Sequence, residues 1–184
     1  MALNLTQLTL DEIIKLQGSR SIFAVGKYQG IPVTISDWIN SDNVPTSTVF
    51  NTATQEQFGT YLLTKKRPAV GNYVYQRGNV TLEQAQTALA QEFASLPKPG
   101  PRESAVGYYD GDTAGNRALT TSGELQDVLI QARNGKNLQL LKDFLAKFEG
   151  RYDSVNIIPK VGDRVRAPQI GTDEYYAPLP TNAA

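Results

Sequence analysis

Two short stretches of this sequence, Thr9-Leu-Asp-Glu12 and Thr81-Leu-Glu-Gln84, place a threonine hydroxyl three residues ahead of a Glu or Gln side chain. In that pattern each side chain takes up a backbone N–H that a helix start leaves without a partner, so both stretches predict helix beginnings. After the first, Ile13, Ile14 and Leu16 lead to Gly18, and a short helix over about 10–17 is expected. After the second, Leu82, Ala85, Leu89 and Phe93 recur every three or four residues, which predicts a helix over 82–95 ended by Pro97, Pro99 and Pro101. Four more helices follow from the same reasoning. They are Ile31 to Ile39 with Pro32 in its first turn, Gln55 to Lys66 closed by Pro68, about 122–133 ending at Asn134-Gly135, and about 137–149. The last carries the stripe Leu138, Leu141, Leu145 and Phe148 and stops at Gly150.

Between the helices, Ser21 to Gly30 is apolar, β-branched and closed by glycines, which suits a short extended segment leading into a turn. Ala69 to Val80 reads as a loop or irregular hairpin. From Pro101 to Thr120 the chain is rich in Gly, Asp, Tyr and Asn, over a length that compact domains usually reserve for function. From Ile158 to Ala184 there are four prolines and no sustained periodicity. The expected architecture is therefore mainly α, a helical bundle with a small β-hairpin region over residues 1–157, followed by a Pro-rich extended tail over 158–184.

Composition narrows the chemistry. With neither Cys nor His, the chain lacks thiol nucleophiles, disulfides, imidazole bases, Ser-His-Asp triads and the usual zinc ligands. No metal and no cofactor is expected. Lys+Arg and Asp+Glu both total 18, so no sequence-wide basic field favours nucleic acid. The first residues lack a basic stretch followed by an apolar one, and no apolar run reaches the roughly 18 residues a membrane span needs. A protein made in the cytoplasm without a signal peptide is the expectation.

Glu149 stands out among the remaining groups. At the end of the helix predicted over 137–149, the negative pole of that helix would disfavour a carboxylate and keep the group protonated, as glycosidic cleavage asks of its general acid. From spacing alone, the plainer reading is a surface glutamate at a helix end.

The motifs around it add to that reading. Phe144-Leu-Ala-Lys-Phe-Glu149-Gly-Arg-Tyr-Asp-Ser-Val-Asn156 resembles the catalytic segment of lysozyme-like phage muramidases and lytic transglycosylases, where a helix ends in Glu-Gly before a Tyr/Asn-rich stretch. Ala24-Val-Gly-Lys-Tyr-Gln29, followed by Ile31-Pro32, resembles the G-R-Y-Q motif of that superfamily. Gln55 to Pro68 and Ala85 to Pro97 are similar to the next two helices of lambda-type endolysins, and Tyr108 to Ala118 resembles a Y-Y-x-G-x-x-G-N-x-A signature. The likeness spans roughly residues 9–156, but with a changed order: here the Glu-Gly helix comes last rather than first. A circular permutation follows, with Asn134-Gly-Lys-Asn137 joining the old termini. Two other readings are an accidental likeness at Glu149 and a Glu149 that completes the cleft of a neighbouring chain.

The resemblance implies a peptidoglycan-cleaving enzyme. Glu149 would protonate the oxygen between N-acetylmuramic acid and N-acetylglucosamine, with Tyr28 and Gln29 lining the cleft. Tyr152 and Asp153 would lie beside the substrate, and Tyr108, Tyr109 and Asn116 would supply stacking and amide hydrogen bonds. A transglycosylase needs no second carboxylate, whereas a hydrolase could use one such as Asp153. Plainer roles stay open for several of these: core packing for Tyr28, a backbone-holding role for Gln29 and loop packing for the paired tyrosines. Glu12 reads as a capping residue, Glu92 as a buried hydrogen-bonded support, and Asp110 and Asp112 as solvated turn residues. Two alternatives compete with the muramidase: a catalytically silent wall-binding or structural module, and a chitinase-like glycosidase. The expected partner is peptidoglycan, reached outside the cytoplasm after delivery by a phage or secretion assembly that the C-terminal tail would engage.

Overall fold

The computed structural model describes residues 4–112 and 115–156. The expected tail over 158–184 lies outside them. Seven α-helices, a 3-10 turn over Leu5–Gln7, a π-helical turn over Leu62–Lys66 and one two-stranded antiparallel sheet make up the regular structure among the described residues. Their described residues fall into two compact units, 4–61 with 149–156 and 62–148.

The first unit contains α1 (Leu10–Gly18), α2 (Pro32–Asp42) and α3 (Thr52–Tyr61). The capping box at α1 is complete: the Thr9 hydroxyl accepts from the Glu12 N–H, and the Glu12 carboxylate accepts from the Thr9 N–H. Glu12 is thus held in its capping role. α2 begins with Pro32 in its first turn, where the missing N–H costs nothing, and ends at Asn43 in a left-handed conformation. The core of this unit is built from Leu5, Leu10, Ile13, Val25, Ile35, Trp38, Phe50 and Phe58, all buried. Trp38 and Phe58 pack with ring centroids 5.1 Å apart.

The sheet joins chain segments that are far apart in sequence. β1 (Ala24–Val25) pairs with β2 (Val155–Asn156), Ala24 opposite Asn156 and Val25 opposite Val155. The small antiparallel β region expected is present, but its strands pair across some 130 residues rather than through a hairpin turn. Local periodicity carries no information on such a partner, because register between distant strands is set by packing rather than by neighbours in sequence.

The second unit holds α4 (Pro68–Val74), α5 (Leu82–Glu92), α6 (Ser122–Gly135) and α7 (Leu138–Leu145), preceded by a π-helical turn over Leu62–Lys66. Its core includes Leu63, Val70, Val74, Leu89, Leu125, Leu129, Leu141 and Leu145. The helical run that begins with α3 ends at Lys66, just before Pro68, as expected. Two expectations fail here. Pro68 also opens α4 at its first position, so the predicted loop over 69–80 is helical up to Val74. The helix expected over 137–149 ends at Leu145, with Ala146 as its C-cap and a turn over the next residues. Glu149 lies beyond that helix in a bend, so the helix-pole argument for its protonation loses its geometry.

Candidate functional site

The first unit gathers five of the eight residues expected at the site: Tyr28, Gln29, Glu149, Tyr152 and Asp153. The turn 26–29 follows β1, and the segment 149–154 precedes β2, so the strand pairing lays one against the other. The Gly26 N–H donates to the Ser154 carbonyl at 2.7 Å, and the Phe23 N–H donates to the Asn156 carbonyl at 2.8 Å.

Glycines make the approach close. A Cβ on Gly150 would lie 2.7 Å from the Gly26 carbonyl oxygen and 3.0 Å from Gln29 Nε2, nearer than side chains tolerate. The Glu-Gly pair is thereby seated on the turn, with Glu149 half-buried beside it. Gly26 has φ of +79°, and a Cβ there would collide with Gln55 Oε1.

Gln29 sits at a positive φ of +49° and donates from Nε2 to the Gly26 carbonyl at 2.8 Å, while its Oε1 accepts from Asn156 Nδ2. It therefore holds the backbone of its own turn and ties that turn to β2. Tyr28 is buried, its ring lying on Gly59 of α3, where a Cβ would come within 2.5 Å of the ring. Asp153 is exposed, 3.6 Å from Arg151 Nε.

Three residues that sequence reasoning did not single out tie these parts together. Gln55, fully buried on α3, accepts from the Lys27 N–H at 2.9 Å and donates from Nε2 to the carbonyls of Phe50 and Tyr152 at 3.0 and 2.8 Å. Its neighbour Glu56 accepts from Lys27 Nζ at 2.7 Å and Tyr152 Oη at 2.6 Å on one oxygen, and from Tyr28 Oη at 2.7 Å on the other. Lys27 Nζ also stands 5.3 Å from the ring centroids of both Tyr28 and Tyr152. A signal for Gln55 existed: it shares the 55, 58, 62 spacing with Phe58 and Leu62, a polar residue on an apolar stripe.

Electrostatics follow from this arrangement. Burial alone would raise the Glu56 pKa, but hydrogen bonds from Lys27, Tyr152 and Tyr28, with the charge of Lys27, lower it to about 2. Burial disfavours the charged form of Lys27, yet Glu56 outweighs it and raises the ammonium pKa. The hydrogen bond to Glu56, then burial, raises that of Tyr152. Glu56 is consequently ionised at any ordinary pH and has no proton to donate.

The other expected site residues belong to the second unit. Tyr109 is buried, and its hydroxyl donates to the Gln91 carbonyl at 2.9 Å, so it packs the loop. Tyr108 is exposed, with Lys98 Nζ 5.7 Å from its ring centroid. Asn116 Nδ2 donates to Asp112 Oδ2 at 2.8 Å. Asp110 accepts from the Gly107 and Ala118 N–H groups, and Asp112 accepts from the Asn116 N–H, so both acids brace the loop through its backbone. Glu92 is buried and paired with Lys66 and Arg67, each at 2.9 Å, the supporting role its position suggested.

No group of three or more His, Asp or Glu side chains able to hold a metal is found among the described residues. No helix among them is long and apolar enough to cross a membrane. Compared with known protein families, with curated proteins and with solved structures, the chain matches none.

Proposed function

We propose that this protein cleaves the glycan strand of peptidoglycan between N-acetylmuramic acid and N-acetylglucosamine, with Glu149 as its single general acid and base. The observation that supports this reading is the seating of Glu149-Gly150 on the turn that carries Lys27, Tyr28 and Gln29. Two motifs that resemble separate parts of the lysozyme-like site, more than 100 residues apart in sequence, thus occupy one unit. The same junction supports a circularly permuted order, since the chain end that bears the acid completes the unit begun by the N-terminal helices.

In this scheme the protonated Glu149 carboxyl gives its proton to the glycosidic oxygen as the bond to C1 breaks. The carboxylate then takes the proton of the attacking hydroxyl, either the 6-hydroxyl of the same sugar or water. One acid suffices for the first route. Other carboxylates nearby favour that economy: Glu56 is held ionised by three donors, and Asp153 is exposed beside Arg151. The substrate lies outside the cytoplasm, so the protein acts after delivery to the wall.

Clearing of bare cell walls by wild type and by Glu149→Gln is the test. Clearing by wild type with loss of about 100-fold or more in the variant is expected, the scale of a lost acid catalyst. Equal clearing by both removes Glu149 from the chemistry. Binding to walls with no clearing by either favours a silent wall-binding module.

A further inference from the structure

Glu56 is unusual in that one half-buried carboxylate takes hydrogen bonds from three side chains on two different chain segments. Lys27 and Tyr28 belong to the turn after β1, and Tyr152 belongs to the segment that carries Glu149. Besides Glu56, a sheet of only two residue pairs, the Gly26–Ser154 bond and the side chains of Gln29 and Gln55 join these segments. A pairing that short is marginal by itself, so side-chain ties decide where the segment rests.

We propose that Glu56 is a positioning residue, whose carboxylate fixes the 149–156 segment on the turn 26–29 by binding Tyr152 on one side and Lys27 and Tyr28 on the other. The claim about catalysis rests on Glu149 being the acid, as proposed above; the claim about position does not. Glu56 touches no reacting atom in this scheme. Gln55 fastens the backbone at Tyr152, whereas Glu56 fastens its side chain, and from Tyr152 the chain is three residues from Glu149. The charge of Glu56 matters because Lys27 is buried beside it: a neutral carboxamide would accept from fewer of the three donors and leave the ammonium without its counter-charge.

The test is amide hydrogen exchange in wild type, Glu56→Gln and Tyr152→Phe, read at two reporters and two controls. The reporters are the N–H groups of Phe23 and Gly26, which donate to the carbonyls of Asn156 and Ser154. The controls are the N–H groups of Ile13 and Ile35, inside α1 and α2. Tyr152→Phe removes one donor and keeps the Lys27–Glu56 pair, so it guards against a variant that merely fails to fold. Exchange at the reporters is expected to rise about tenfold beyond any change at the controls in both variants, as for loss of one charged hydrogen bond in a locally opening segment. Equal acceleration at all four sites makes Glu56 a global stabiliser and overturns the proposal, as does no change at any of them.

Wall cleavage by Glu56→Gln is measured alongside, with kcat expected to fall about tenfold while KM stays within twofold, as for a displaced acid. A local rise in exchange with unchanged kcat overturns the link from Glu56 to Glu149. An inactive wild type sinks the muramidase reading instead, and the exchange result still decides the positioning claim.

Discussion

Replacing Gln55 by leucine removes a side chain that bonds three backbone segments, and its cost can be worked from the contacts. The buried amide accepts from the Lys27 N–H and donates to the Phe50 and Tyr152 carbonyls. Leucine has comparable volume and no polar atom, so packing is largely kept while three backbone groups lose their partner. At the buried Lys27 N–H and Phe50 carbonyl, water does not replace the amide, and each stranded group costs about 1–3 kcal/mol. The Tyr152 carbonyl is only partly buried and regains water at smaller cost. Leucine's apolar transfer offsets a fraction, leaving a net loss of about 3 kcal/mol. Urea unfolding followed by tryptophan fluorescence reports this directly, since Trp38 lies in the core of the same unit. An exposed neighbour gives the control: Gln57→Leu is expected to stay within about 0.5 kcal/mol of wild type. A loss below about 1 kcal/mol for Gln55→Leu, against the range expected for stranded groups, would mean that the three segments do not depend on this amide.

Two further predictions concern the same cluster. Glu56 titrates at about 2 in the folded chain against 4.5 ordinarily, so its contribution is complete above pH 4.5 and lost as pH falls toward 2. Such a displacement corresponds to about 3 kcal/mol, which screening of a side chain 23% exposed reduces to about 2 kcal/mol. The stability gap between wild type and Glu56→Gln should therefore close between pH 5 and pH 2 in a urea series, and a gap independent of pH would contradict the ionised, three-donor geometry. Gly59→Ala should lower the melting temperature, because its Cβ would meet the buried Tyr28 ring at 2.5 Å; overpacking of about 1–3 kcal/mol outweighs the roughly 1 kcal/mol that alanine gains in a helix. A rise in melting temperature would show that Tyr28 moves aside freely.

How much of this was legible in the sequence depends on whether the information was local. Thr9 and Thr81 announce α1 and α5 because a capping box involves only residues three apart, and both boxes form as written. Pro68 was half legible for a local reason too: it ends the run before it, as read, but proline opens a helix equally well, and Val70 and Val74 of the helix it opens pack into the core. The stripe to Phe148 overran the true end of α7 at Leu145, since apolar residues in a following turn can keep helical spacing. The meeting of residues 24–25 with 155–156, and the Glu56 cluster that depends on it, have no local signature at all. Tyr28 and Gln29 were singled out from the motif, but what they touch, a glutamate and a glycine carbonyl, becomes visible only once the chain ends have come together.

Glycan fragments released from purified peptidoglycan, identified by mass spectrometry for wild type and Glu149→Gln, test the central claim most directly. Wild type should release muropeptides cut after N-acetylmuramic acid, with a 1,6-anhydro end if the sugar's own hydroxyl attacks and a reducing end if water does, and the variant should release almost none. The same fragments from both proteins, or intact glycan strands after incubation with wild type, would contradict it.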